Sequence, residues 1–126
     1  MTTDRKHILL EKIKRAVIDF IHYADEPVNI KFSNHLSELL DYDYTYLSNL
    51  FSELHGTTLE QYIISHKIER VKQMLIYEEL SLTDIAFKMG YSSVAHLSYQ
   101  FKKTTGVTPS GFRKMNGKPL GDTKNQ

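Results

Sequence analysis

The stretch SVAHLSYQFKKTT, residues 93–105, carries two kinds of side chain at helical spacing. Leu97 and Phe101, four residues apart, mark a face turned to a core. Val94, Ala95, Ser98 and Tyr99 are left on the opposite or flanking surface. The Ser98 and Tyr99 hydroxyls can hydrogen-bond to bases or phosphates, while Val94 and Ala95 offer apolar contact to a thymine methyl. Lys102, Lys103 and Arg113 suit phosphate oxygens, contacts that hold register without reading sequence. Ser93 is placed with them at the helix start, and His96 adds a phosphate contact when protonated. The chemistry is that of a surface laid against double-stranded DNA.

A near copy of this stretch lies fifty residues earlier. Leu97, Ser98, Phe101, Gly106 and Thr108 fall on Leu47, Ser48, Phe51, Gly56 and Thr58 at one offset. With Leu47, Leu50 and Phe51 assigned to a core, Thr45, Ser48 and Asn49 face outward, and Asn49 can pair with adenine in bidentate fashion. Each copy predicts a short helix, a tight turn and a longer helix, the layout whose second helix enters a major groove.

The elements that must carry these residues are all helical. Leu10, Ile13, Val17, Phe20, Ile21 and Ala24 put an apolar stripe on a first helix over about residues 5–24, stopped at Asp25-Glu26-Pro27. A second, about 32–40, is expected to bury Phe32, Leu36, Leu39 and Leu40. Asp41 tolerates the left-handed conformation of a helix end, and Asp43 stands where it can cap a third helix over about 44–55, burying Leu47, Leu50, Phe51 and Leu54 before Gly56. A long linker helix follows from Thr57 or Thr58 to Tyr77.

The sharpest local signal is Ser81-Leu-Thr-Asp84, a capping box with Leu80 and Ile85 as its staple. It opens a helix over about 82–89, closed by Gly90. Ser92 or Ser93 caps the next, which ends at Gly106, and Thr108-Pro109 starts a last short helix to Met115. The expected fold class is all-α: about seven helices, two helix-turn-helix subdomains joined by a long linker helix. The divisions are 1–56, 57–78 and 79–115, with 116–126 a disordered tail poor in apolar residues.

Charge is polarised along the chain. The formal net charge is +1, yet residues 1–90 hold ten Lys/Arg against fourteen Asp/Glu, and residues 91–126 hold six against one. The basic end is where a polyanion docks. Residues 30–56 carry Lys31 alone against Glu38, Asp41, Asp43 and Glu53, so the second copy is expected to supply most of the affinity while the first binds weakly or faces a protein. A spacer of about 20 residues is about 30 Å long as a helix, close to the roughly 34 Å turn of B-DNA, which suits successive major grooves.

Other classes find little support. Zero cysteines remove disulfides, thiolate chemistry and most structural zinc sites. Histidines 7, 22, 35, 55, 66 and 96 show no metal-ligand spacing, so no metal or other cofactor is expected. Gly90-Tyr-Ser-Ser-Val lacks the second glycine of a nucleophile elbow, and no enzyme is expected. No stretch approaches the roughly 20 apolar residues of a membrane span, no signal peptide is visible, and a cytoplasmic protein fits.

Residues 81–114, SLTDIAFKMGYSSVAHLSYQFKKTTGVTPSGFRK, resemble the signature of the AraC-type transcription regulators through Asp84-Ile85-Ala86, Gly90-Tyr91, Leu97, Phe101-Lys102, Gly106, Pro109, Phe112 and Arg113. Residues 46–63, YLSNLFSELHGTTLEQYI, are similar to the family's first unit. The resemblance covers about residues 30–114 and implies a sequence-specific DNA-binding domain that usually activates transcription by touching RNA polymerase. Val94, Ala95, Ser98 and Tyr99 align with the family's base-facing positions. The sequence departs from the family at Asn49 and Tyr99, where arginine is common, and at Lys67 and Val71, where the linker helix usually has Arg and Ala. Many members carry a sensing domain ahead of this module. With a first helix starting near Met1, either a stand-alone regulator or a chain missing its N-terminal sensing domain fits. The competing reading is a helical protein-interaction module that contacts polymerase or another regulator without reading DNA.

Overall fold

A computed structural model describes residues 2–23, 32–78 and 80–116. Seven helices run through them: α1 (Thr2–Ile18), α2 (Phe32–Leu40), α3 (Tyr44–His55), α4 (Leu59–Gln73), α5 (Leu82–Lys88), α6 (Val94–Thr105) and α7 (Pro109–Asn116). The last turns of α1 and α4 widen into π-helical segments, Asp19–Tyr23 and Met74–Glu78. No strand occurs among the described residues, so the all-α expectation holds. Ala24, the stop at Asp25-Glu26-Pro27 and the expected tail over 117–126 lie outside the described residues, while Asn116 belongs to α7.

The described residues form two compact units, one reaching to His66 and one starting at Lys67. In the first, α1 packs on α2 and α3. Its buried side chains are Leu9, Leu10, Ile13, Ala16 and Val17 of α1, Ile21 of the Asp19–Tyr23 segment, Leu36 of α2, Leu47, Leu50 and Phe51 of α3, and Leu59. Leu9 and Ala16 widen the α1 stripe beyond the spacing expected. Leu39, expected inside, is 58% exposed. It sits one turn after Leu36 at the edge of the apolar arc, where among the described residues it stays mostly in solvent. Phe32, Leu40 and Leu54 are only half-buried.

In the second unit α5 packs on α6, and α7 packs on α6 and on the Met74–Glu78 turn. Buried here are Ile68, Val71, Met74 and Leu75, then Ile85, Ala86, Met89 and Tyr91, and finally Leu97, Phe101 and Pro109. Ser81 Oγ accepts a hydrogen bond from the Asp84 backbone N–H at 3.1 Å, the cap that starts α5. At its other end Tyr91 N–H donates to Ala86 O and Gly90 N–H to Phe87 O, with Gly90 at φ 77°. That paired pattern around a left-handed glycine satisfies carbonyls that the helix leaves open.

The fifty-residue repeat survives in three dimensions, unit by unit. Gly56 and Gly106 both take φ 91° and donate back to Ser52 O and Lys102 O. Thr58 Oγ1 accepts from Gln61 N–H at 3.1 Å, and Thr108 Oγ1 from Gly111 N–H at 3.0 Å. Phe51 meets Tyr62 with ring centroids 5.0 Å apart, and Phe101 meets Phe112 at 5.6 Å. The two starts differ: Ser93 caps α6 through its side chain, whereas Asp43 occupies the α3 cap position without a side-chain bond.

Candidate nucleic-acid interface

The α2–α3 and α5–α6 pairs are the two helix-turn-helix motifs, and α3 and α6 are their second helices. On α6, Leu97 and Phe101 are fully buried, which fixes the helix's rotation and pushes the other faces out. Ala95, His96, Tyr99, Lys102 and Lys103 are exposed, and Val94 and Ser98 are half-buried. Ala95, Ser98, Tyr99, Lys102 and Lys103 together line one shallow groove. Sequence reasoning missed its sixth member, Thr108; the signal was its place two residues beyond the glycine cap, which returns the chain to the foot of α6.

Tyr99 is 65% exposed, and Lys103 Nζ lies 5.8 Å from its ring centroid. Neither Lys102 nor Lys103 forms an ion pair among the described residues. Two ammonium groups and a phenol therefore stand on one solvent-facing surface, a distribution that attracts polyanions.

The start of α6 is held more firmly. Ser93 Oγ accepts from His96 N–H at 3.0 Å, and Ser92 Oγ lies 3.3 Å from His96 Nδ1. Beneath them Tyr91 is buried, its hydroxyl donating to Gln100 Oε1 at 2.6 Å and its ring meeting the His96 ring edge-on at 5.1 Å. Lys67 Nζ lies 4.2 Å from the centroid of the Tyr91 ring. Burial pushes the Tyr91 phenol above its ordinary range and the Lys67 ammonium below its own. Lys67 was legible only as a departure from the family's usual arginine; its packing on Tyr91 was not.

Arg113, expected beside phosphate, instead turns its guanidinium inward. Nε donates to Leu75 O at 3.0 Å and Nη2 to Leu80 O at 2.6 Å, tying α7 to the end of the Met74–Glu78 turn. A planar fork matches two acceptors at once.

On α3, Thr45 and Asn49 are exposed and Ser48 is half-buried, the same register as Ala95, Tyr99 and Ser98 on α6. The electrostatics differ. Where α6 has Lys102 and Lys103, α3 has Ser52 and Glu53, with Glu53 exposed. Among the described residues no group of three or more His, Cys, Asp or Glu is placed to hold a metal ion, and no helix is long and apolar enough to cross a membrane.

A family model described as a helix-turn-helix domain matches residues 36–115. The chain is 38% identical over 74 residues to the uncharacterized transcriptional regulatory protein YesN of Bacillus subtilis (strain 168), covering 57% of this chain and 20% of that protein. The C-terminal domain of AraT, a response regulator from Geobacillus stearothermophilus, superposes with a TM-score of 0.74 at 19% identity, over 94% of this chain and 93% of that one. The DNA-binding domain of AdpA, a global transcriptional factor solved in complex with a target DNA, gives a TM-score of 0.69 at 17% identity, over 84% and 90%. At those two identities the likeness is one of fold. The chain spans 20% or less of the length of the curated relatives YtdP and YesN. The chain belongs to the AraC-type helix-turn-helix domain family.

Proposed function

We propose that the protein binds double-stranded DNA sequence-specifically and regulates transcription, with α6 as its principal reading helix. The observation that carries this is the joint groove of Ala95, Ser98, Tyr99, Lys102 and Lys103 on the exposed side of α6. Val94, Ala95, Ser98 and Tyr99 read base edges and thymine methyls. Lys102 and Lys103 hold phosphates, with Ser93 and His96 adding backbone contacts at the helix start. Arg113, spent on Leu75 and Leu80, acts as a clasp that sets α7 rather than as a phosphate contact.

Thr45, Ser48 and Asn49 of α3 read a second, weaker half-site in the neighbouring major groove. Glu53 in place of a lysine lowers that contribution. The divisions 1–56, 57–78 and 79–115 correspond in this reading to first reader, spacer and second reader, the spacer of about 20 helical residues matching the pitch of B-DNA. Regulation takes the form of activation through contact with RNA polymerase, made by the acidic first unit. Because the relatives are far longer, control by a sensing domain elsewhere in a longer protein is part of the proposal.

Enrichment of bound sequences from a random duplex pool tests it. The expected product is a strong half-site with a weaker one about 10 base pairs away; a pool that enriches no sequence would contradict it.

A further inference from the structure

The first unit carries an exposed apolar groove that the DNA reading leaves unused. Ile8 of α1 is 57% exposed, Leu39 of α2 58%, and Tyr42 and Tyr46 44% each. The groove consists of two adjoining hollows that share Ile8, Lys12, Leu39 and Leu40. Tyr42 and Tyr46, stacked with ring centroids 5.2 Å apart, line the first of them. A cluster of large apolar groups left in water is a mark of an interaction site.

The charge along this floor is mainly basic. The hollow at the tyrosine end is lined by Arg5, Lys6 and Lys12 and by no carboxylate. The second continues along α1 with Lys12 and Arg15. Its two carboxylates are Glu11, which already pairs with Lys14 at 3.4 Å, and Asp19 at the far end. The exposed acids Glu38, Asp41 and Asp43 line neither hollow. Arg5, Lys6, Lys12 and Arg15 are themselves exposed, and none forms an ion pair among the described residues. From Arg5 to Arg15 the basic border runs about 15 Å, close to three helical turns.

We propose that this groove receives an acidic amphipathic helix of another protein, about three turns long. Its apolar residues, at i, i+3, i+4 and i+7, cover Ile8, Leu39, Tyr42 and Tyr46, and its flanking Asp and Glu side chains face Arg5, Lys6, Lys12 and Arg15. Complementary charge selects such a partner and rejects one with basic flanks. Duplex DNA would match the cations but offers no apolar face to cover Ile8 and Leu39. A second copy laid on the same groove would set these cations against their own kind. A patch of this extent belongs to the weak interface class, below about 1,200 Å² in total, so binding is reversible.

Selection from a displayed library of random peptides, with the full chain as target, tests this. The expected consensus has large apolar residues at helical spacing flanked by Asp or Glu; enrichment of nothing, or of basic or uncharged flanks, overturns the proposal. A selected peptide, labelled and titrated by fluorescence anisotropy, is expected to bind Leu39→Glu and Arg5→Glu/Lys12→Glu at least about tenfold more weakly than the wild type. The charge-reversed chain should instead prefer the same peptide with Lys in place of its acids. Lys102→Ala/Lys103→Ala should bind the peptide as the wild type does, which keeps this result apart from the DNA reading. Circular dichroism confirms that each variant is folded; should Leu39→Glu unfold, the charge reversal decides alone. A loss of duplex affinity in Arg5→Glu/Lys12→Glu equal to that in Lys102→Ala/Lys103→Ala would assign the groove to DNA. A sedimentation mass above 14.6 kDa that falls back in Leu39→Glu would assign it to a second copy. Either result overturns the proposal, as does a peptide affinity indifferent to the groove variants.

Discussion

Arg113 donates from Nη2 to the carbonyl oxygen of Leu80 at 2.6 Å, while its Nε serves Leu75. One side chain thus closes the helical segment that ends at Glu78 and anchors α7. Arg113→Ala is expected to destabilise the second unit by about 2 kcal/mol, the scale of charged hydrogen bonds to partly buried carbonyls. Arg113→Lys recovers only part, because an ammonium cannot span both acceptors. The urea midpoint measures the loss. DNA affinity of the folded variant should keep its salt dependence; a flattened dependence would return Arg113 to the phosphate contacts.

Gly106 and Gly56 end α6 and α3 at φ 91°, and a Cβ at either would meet nothing within 4 Å. Space is available, so conformation alone sets the cost. Gly106→Ala and Gly56→Ala are each expected to cost about 1 to 2 kcal/mol through left-handed backbone strain. Equal losses at the two sites, read from thermal or denaturant unfolding, are the expected result; no loss at either would remove the left-handed caps from the account.

Much of this was readable from residue spacing. Ser81, Ser93 and Thr108 announced their helices through local chemistry, a side-chain oxygen accepting from a backbone N–H three residues on. Leu97 and Phe101 likewise fixed which face of α6 is exposed. Spacing failed where the outcome depended on a distant partner. Leu39 follows the apolar pattern of α2 yet stays in water, because periodicity identifies a face without saying how far the neighbouring helix extends over it. Arg113 looked like surface charge, since nothing local shows that the carbonyls of Leu75 and Leu80, more than thirty residues back, lie within its reach. The Lys67–Tyr91 contact was hidden for the same reason.

Alkaline titration separates buried from exposed phenols. Burial raises Tyr91, and burial together with the Glu60 carboxylate and its hydrogen bond raises Tyr44. For a group raised on folding, stabilisation is complete below the ordinary phenol value of about 10 and is lost as pH climbs through the raised folded value. Stability is therefore expected to decline above about pH 10. Phenolate absorbance should show Tyr91 and Tyr44 ionising late among the eight tyrosines. Tyr91→Phe and Tyr44→Phe should each delete one late step; a single ionisation of all eight near the ordinary value would contradict the burial assigned to them.

Salt dependence of duplex binding tests the central claim most directly. In log–log form, each phosphate contact contributes about 0.9 to the slope, so Lys102→Ala/Lys103→Ala is expected to reduce it by roughly 2 and to weaken binding across sequences. Ser48→Ala/Asn49→Ala should leave the slope unchanged and weaken binding much less. Equal losses from the two variants, or a wild-type affinity indifferent to salt, would contradict the assignment of α6 as the principal DNA-reading helix.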